Sequence, residues 1–174
     1  GDDMVHYWMH NNMITINGKK MGKSYNNFIN LQEFFAGSHP LLEKAYTPMV
    51  IRFFILQAHY RSTVDFSNAA LQSAEKALAK MIDSYSRLQS LQAAAQSSTE
   101  LADYKSLCYE AMNDDLNTPQ VIAHLFDACR VINSANSGDT ALSQADIDML
   151  KELFDTFLVE LLGIRTASSA ESAD

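Results

Sequence analysis

Apolar and polar positions change their period along this chain, and the change divides it. From Met13 to Lys20, Ile14 and Ile16 alternate with Thr15 and lead into Asn17-Gly18, the dipeptide favoured in a type I′ turn. The pattern predicts a β-hairpin. A lone two-stranded hairpin is marginal in water, so it must pack on something larger.

Beyond the hairpin the period is helical. Asn30 with Glu33 makes a capping box for a short helix that ends at Ala36-Gly37. Thr47 caps and Pro48 opens a second helix running to about Tyr60. It is apolar almost all round and is expected to be central and buried. Its exception, Arg52, is expected either to pair with Glu43 or Asp65 or to position the basic loop described below. Ser67 caps a long helix over about 68–96, with Leu71, Ala74, Leu78, Met81, Tyr85 and Leu88 in one apolar stripe. A further helix is predicted over about 99–112. Asn113 to Pro119 breaks it, with Asn117 or Thr118 capping the next, over about 119–134. Ser143 and Asp146 open a last helix reaching about Leu162, stopped by Gly163. The predicted fold is mainly α: a small β-hairpin segment followed by an antiparallel α-helical bundle. The boundaries read from this pattern are 1–66, 67–164 for the bundle, and a flexible tail at 165–174.

Composition supports a helical protein with a real core. Of 174 residues 47% are apolar, with only six glycines and three prolines. The net charge of −8 is uneven: residues 1–66 carry six Lys/Arg against five Asp/Glu, and the remainder seven against sixteen. An acidic helical half is a poor general binder of phosphate backbones, so any RNA contact is expected to be local. Cys108 and Cys129 lack metal-like or redox spacing and read as small apolar residues of a reduced, cytoplasmic protein. No apolar run is long enough to span a membrane, and no secretory pattern opens the chain. Gly1-Asp2-Asp3-Met4 reads as a fragment boundary, and Thr166 to Asp174 as a frayed end.

The chemistry concentrates in Lys20-Met21-Gly22-Lys23-Ser24, directly after the hairpin. Two lysines three residues apart, with a glycine between, suit a ligand of concentrated negative charge such as a triphosphate. An ammonium is a compact charge with three donors that can follow phosphate oxygens as charge moves. Asp114 and Asp115 are adjacent acids, and helix capping explains them better than a metal does. Trp8 reads as core packing by its bulk. Arg61, in His59-Tyr60-Arg61-Ser62, is read as contacting RNA phosphate or as neutralising Asp65 and a helix end.

Taken in order, Tyr7-Trp8-Met9-His10-Asn11-Asn12, the lysine loop, Tyr25-Asn26-Asn27-Phe28, His59 to Ser62 and Asp65-Phe66-Ser67 resemble a class I aminoacyl-tRNA synthetase, specifically cysteinyl-tRNA synthetase. The resemblance runs from about Asp3 to about Leu162. Lys20 to Ser24 looks like the KMSKS loop of that class. Gly22 stands where the family usually has serine, Tyr25 where it has leucine and Asn26 where it has glycine; Gly22 is expected to preserve loop mobility.

The resemblance implies an ATP-dependent ligase that activates cysteine and transfers it to tRNA(Cys). Lys20 and Lys23 would be its catalytic lysines, with Lys23 nearest ATP, and Met21, Gly22 and Ser24 would complete the ATP loop. Trp8 would lie by the amino-acid pocket. Zinc would be bound through residues outside this chain, as would the nucleotide-binding sheet and its HIGH-type motif, so the chain alone is expected to be inactive. Two other readings stand beside this one. One is a paralogous ligase joining cysteine to an amino sugar, which needs no tRNA surface. The other is a stand-alone helical interaction module.

Overall fold

In a computed structural model, residues 4–165 are described. The boundary reading at Gly1–Asp3 and the frayed end at Thr166–Asp174 lie outside the described residues. The architecture is mainly helical, with one small sheet at one end.

The hairpin forms as its pattern predicts. Strand β1 (Ile14–Ile16) pairs antiparallel with β2 (Lys19–Lys20). Asn17 and Gly18 hold φ of 50° and 76°, the pair of positive values a type I′ turn demands. The sheet has a third member that alternation did not reveal. Strand β3 (Val64–Phe66) lies parallel to β1, giving the order β2-β1-β3. Asp65 ties this sheet to the turn. Its Oδ1 accepts from the Thr15 hydroxyl at 2.6 Å and from the Gly18 N–H at 2.7 Å. Asp65 is therefore not the partner of Arg52 or Arg61.

Between β2 and β3 the chain makes two helices, α1 (Leu31–Ala36) and α2 (Pro48–Leu56). Both start where the sequence says: Asn30 and Glu33 complete the capping box, and the Thr47 hydroxyl accepts from the Val50 N–H. Helix α2 ends at Leu56, short of Tyr60, and only one side of it is buried. Val50, Ile51 and Phe53 are in the core while Ile55 is exposed. Among the described residues, part of its apolar surface is thus uncovered.

The bundle follows: α3 (Asn68–Leu88), α4 (Tyr104–Asn113), α5 (Thr118–Ser137) and α6 (Gln144–Leu153). Helix α5 packs on α3 and α4, and α3 also packs on α2 and α6. The stripe Leu71, Ala74, Leu78, Met81 and Leu88 is buried as its period requires, against Leu125, Ala128, Ile132 and Leu150 of the same core. Both cysteines lie in this core as free thiols, and burial pushes Cys108 up to about 12 and Cys129 up to about 11.

Three further departures from the periodic reading lie in the bundle. Helix α3 stops at Leu88, not near Gln96, and Ala94 to Ser98 instead bond the chain at the start of α6. The Ala94 N–H donates to the Leu142 carbonyl at 2.8 Å and the Ser98 N–H to that of Ala141 at 3.0 Å. Helix α4 is capped by Asp103, whose carboxylate accepts from the Ser106 N–H, and so starts later than Thr99. The last helix widens after Leu153 into a π-helical stretch, Phe154–Leu161, that buries Phe154, Phe157 and Leu158. No three- or four-residue period distinguishes that stretch from an α-helix in advance.

Two arginines join the sheet end of the molecule to the bundle. Arg52 on α2 bonds neither Glu43 nor Asp65; its Nε donates to the Leu162 carbonyl at 2.7 Å. Arg61 pairs with Asp115, not Asp65, at 3.0 Å. The Tyr60 hydroxyl donates to the same carboxylate at 2.7 Å, and the Arg61 Nε donates to that hydroxyl at 3.0 Å. Asp115 is thus committed to this joint and not to helix capping. The cap of α5 is Asn117, while the Thr118 hydroxyl donates to the Leu56 carbonyl at 2.7 Å.

Candidate nucleotide-binding loop

The lysine loop hangs directly from the sheet. Lys20 ends β2, and the Met21 N–H donates back to the Ile14 carbonyl at 3.0 Å, carrying the ladder one residue further. The half-buried Met21 side chain packs on the core, which fixes the root of the loop. Lys23, Ser24 and Tyr25 then make one 3-10 turn. Asn26, at φ 52°, closes it by donating its N–H to the Lys23 carbonyl. This αL conformation is one asparagine tolerates with little strain.

Lys20, Lys23 and Ser24 are all exposed, and among the described residues neither lysine is paired with a carboxylate. The Lys23 ammonium instead rests 5.7 Å from the centroid of the Phe28 ring. A cation on an aromatic face at an exposed site is held by about 0.5–1 kcal/mol. An arriving polyanion can overcome that. The loop therefore presents two available cations on a rigid mount.

Gly22 is not a free pivot here. Its backbone is extended, its N–H donates to Asn27 Oδ1 at 2.9 Å, and its carbonyl accepts from the Tyr25 N–H at 3.0 Å. The Tyr25 ring lies across it, so that a Cβ at position 22 would stand 3.2 Å from Tyr25 Cδ2. The two departures, glycine for serine and tyrosine for leucine, fit one another.

Trp8 is not in the core of this chain. It is 75% exposed and stacks on His10, with ring centroids 6.0 Å apart. It lies in an exposed apolar run with Tyr7 and Met9 that precedes the hairpin. Beside this run, Met9, Ile14, Ile55, Leu56, Val64 and Leu116 line an open apolar groove of about 280 Å³. Among the described residues no three of His, Cys, Asp and Glu come together as metal ligands. The described residues do not fit a zinc site. Nor is any helix among them long and apolar enough to cross a membrane.

Comparison with known proteins matches both parts of this architecture. Residues 1–76 match the family of tRNA synthetases class I (C) catalytic domain, and residues 108–164 match the DALR domain. Cysteine–tRNA ligase of Parabacteroides distasonis is 59% identical over 170 residues, covering 98% of this chain and 35% of that protein. That of Bacteroides fragilis is 59% identical over 165 residues, 95% of this chain and 34% of the relative. That of Porphyromonas gingivalis is 55% identical over 176 residues, all of this chain and 36% of the relative. The chain spans about a third of the length of these curated relatives. Carrying a class I (C) catalytic segment with its lysine loop, followed by a DALR domain, the chain belongs to the cysteinyl-tRNA synthetase family.

Proposed function

We propose that this chain supplies the ATP-stabilising loop and the tRNA-side helical bundle of a ligase that activates cysteine with ATP and transfers it to tRNA(Cys). In activation, a cysteine carboxylate oxygen attacks the α-phosphorus of ATP. The bond to the bridging oxygen of pyrophosphate breaks, leaving cysteinyl adenylate and pyrophosphate. A terminal tRNA hydroxyl then attacks the carbonyl carbon and AMP leaves. Charge builds on the departing pyrophosphate, and Lys20 and Lys23 would meet it there. Preorganised donors aimed at developing charge are the largest single source of catalysis in such displacements.

The observation that carries this reading is the pair of lysines, unpaired with any carboxylate among the described residues and three positions apart on a sheet-anchored loop. Lys23 would be the direct ATP contact, since a move off Phe28 exchanges a weak aromatic contact for a phosphate. Lys20 sits at the strand end, with Met21, Gly22 and Ser24 shaping the loop between and beyond. Trp8, exposed on the flank, is suited to an amino-acid pocket completed by residues outside this chain. The bundle, 67–164, would face the tRNA and the first 66 residues would belong to the catalytic side. Its acidic balance makes that RNA contact a matter of a few local groups. Zinc of the full enzyme would be held elsewhere, and the ligase would act in the cytoplasm.

Cysteine-dependent exchange of labelled pyrophosphate into ATP by the full-length protein carrying this chain tests the activation half. Formation of cysteinyl-tRNA tests the transfer half. Exchange without transfer to tRNA would select the cysteine:amino-sugar ligase. Absence of exchange would leave a helical interaction module.

A further inference from the structure

We infer that Asn27 is the positioning residue of the lysine loop, the side chain that fixes where Lys20 and Lys23 stand relative to one another. The inference rests on the ligase reading for its catalytic consequence, though not for its geometry. Asn27 is 8% exposed, one of three buried polar side chains among the described residues. Its carboxamide bridges the loop from within. Oδ1 accepts from the Gly22 N–H at 2.9 Å, and Nδ2 donates to the Lys20 carbonyl at 3.1 Å. One amide plane therefore grips the backbone on both sides of Met21, between the two lysines.

The chemistry requires an amide. Asparagine offers an acceptor and a donor in one rigid group, and the two backbone groups it meets are one donor and one acceptor. Aspartate would keep the bond to Gly22, lose the one to Lys20 and bring an anion beside two lysines. Alanine would leave both backbone groups without a protein partner. The backbone bonds of the 3-10 turn close only Gly22 to Tyr25 and Lys23 to Asn26. They leave Lys20 outside. The side chain of Asn27 is what ties the strand-end lysine to the turn-borne one.

Loss of this bridge lets the turn swing about Met21. A misplacement of about 1 Å in a charge-stabilising group costs about 100-fold in rate. On the ligase reading the loop meets pyrophosphate and not cysteine, so the KM for cysteine is expected to be unchanged.

The test compares wild type with Asn27→Ala and Asn27→Asp in the full-length protein. Cysteine-dependent pyrophosphate exchange is measured together with hydrogen exchange of the loop amides. The expected result is a fall in kcat of about 10- to 100-fold for Asn27→Ala, an unchanged cysteine KM and accelerated exchange at the Gly22 amide. Asn27→Asp is expected to keep the Gly22 amide protected while still lowering kcat, which separates positioning from simple loss of fold. Faster amide exchange with unchanged kcat would overturn the positioning role. A lowered kcat with an unaltered Gly22 amide in Asn27→Ala would overturn the bridge. A wild-type protein that exchanges no pyrophosphate would overturn the ligase reading, and the catalytic consequence with it, while the amide protection still reports the geometry.

Discussion

Arg52 Nε donates a hydrogen bond of 2.7 Å to the carbonyl of Leu162, 110 residues later in the chain. The bond places a cation at the C-terminal end of the bundle's last helix, where unsatisfied carbonyls favour positive charge. The next residue, Gly163, has φ 64°, and a Cβ there would stand 2.7 Å from Arg52 Nη2. Gly163→Ala should therefore lose about 1–2 kcal/mol through the left-handed backbone and further stability through displacement of Arg52. Arg52→Ala should lose about 1.5–3 kcal/mol as a charge-assisted hydrogen bond is removed. Urea unfolding checks both, and the double variant should lose less than the sum of the two.

The lysine loop makes a kinetic prediction. Lys23→Ala should lower the rate of adenylate formation in the full-length protein by about 100- to 1000-fold, as for loss of other oriented charge donors. The melting temperature should stay within error of wild type, because among the described residues the Lys23 side chain is exposed, forms no ion pair and rests on the exposed Phe28 ring. Single-turnover ATP consumption in the presence of cysteine measures it. A large drop in melting temperature would mean that the lysine is structural.

Gly22 and Tyr25 should behave as a unit. Restoring the serine usual in the family, Gly22→Ser, sets a Cβ 3.2 Å from the tyrosine ring and forces the ring to move. Tyr25 is exposed and needs to give by only a few tenths of an ångström, so the cost is expected to fall below the roughly 1 kcal/mol of a core overpacking, and the double variant Gly22→Ser/Tyr25→Leu should regain it. A double-mutant cycle on unfolding free energy reads the coupling. Additive effects would show that the ring adjusts without cost.

Asp115 and Leu116 both hold positive φ, at 57° and 56°. The Asp115 carboxylate is what the Tyr60 hydroxyl and Arg61 bind. Asp115→Ala should cost about 1 kcal/mol, modest because the pair is partly exposed. Asp115→Gly should cost less, since it loses the same carboxylate but relieves the backbone. Equal losses in thermal unfolding would mean that the backbone at this joint stores no strain.

Acid should find the start of α6. The Ser97 hydroxyl first, then the hydroxyl and N–H of Ser143, hold the Asp146 carboxyl below the usual carboxylate range. A carboxyl depressed in the folded state contributes its stability above the unfolded value of about 3.9. That contribution disappears as pH falls through the folded value. Wild type should thus exceed Asp146→Asn in stability at neutral pH, and the gap should close in the acid range below about 4. Stability curves collected from pH 7 to pH 2 follow it. A gap that does not change with pH would show that the amide loses something other than charge.

What could be read in advance was local. Asn30, Thr47, Ser67 and Ser143 each cap a helix because the capping bond reaches only two or three residues ahead. The hairpin announced itself through Asn17-Gly18. The lysine loop was legible as chemistry because it is a contiguous motif. What could not be read was which distant group each polar side chain would meet. Arg52 finds a carbonyl of the last helix, and Asp65 finds the hairpin turn. Asn27 stands in the sequence only as part of the run Tyr25-Asn26-Asn27-Phe28, because its value lies in a bridge that only the folded loop creates. Strand β3 is three residues long, and its partner lies 50 positions earlier, so no local period marks it.

That pairing also orders events in time. Strand β1 is made early, but its parallel neighbour is not synthesised until α1 and α2 have emerged, and joining them closes a long loop at an entropic cost. Contacts so separated form slowly compared with helices. On a ribosome, Ile16 waits for Phe66, and the platform beneath the two lysines comes into being only after both helices between them exist. The charged loop is thus made well before the sheet beneath it is complete.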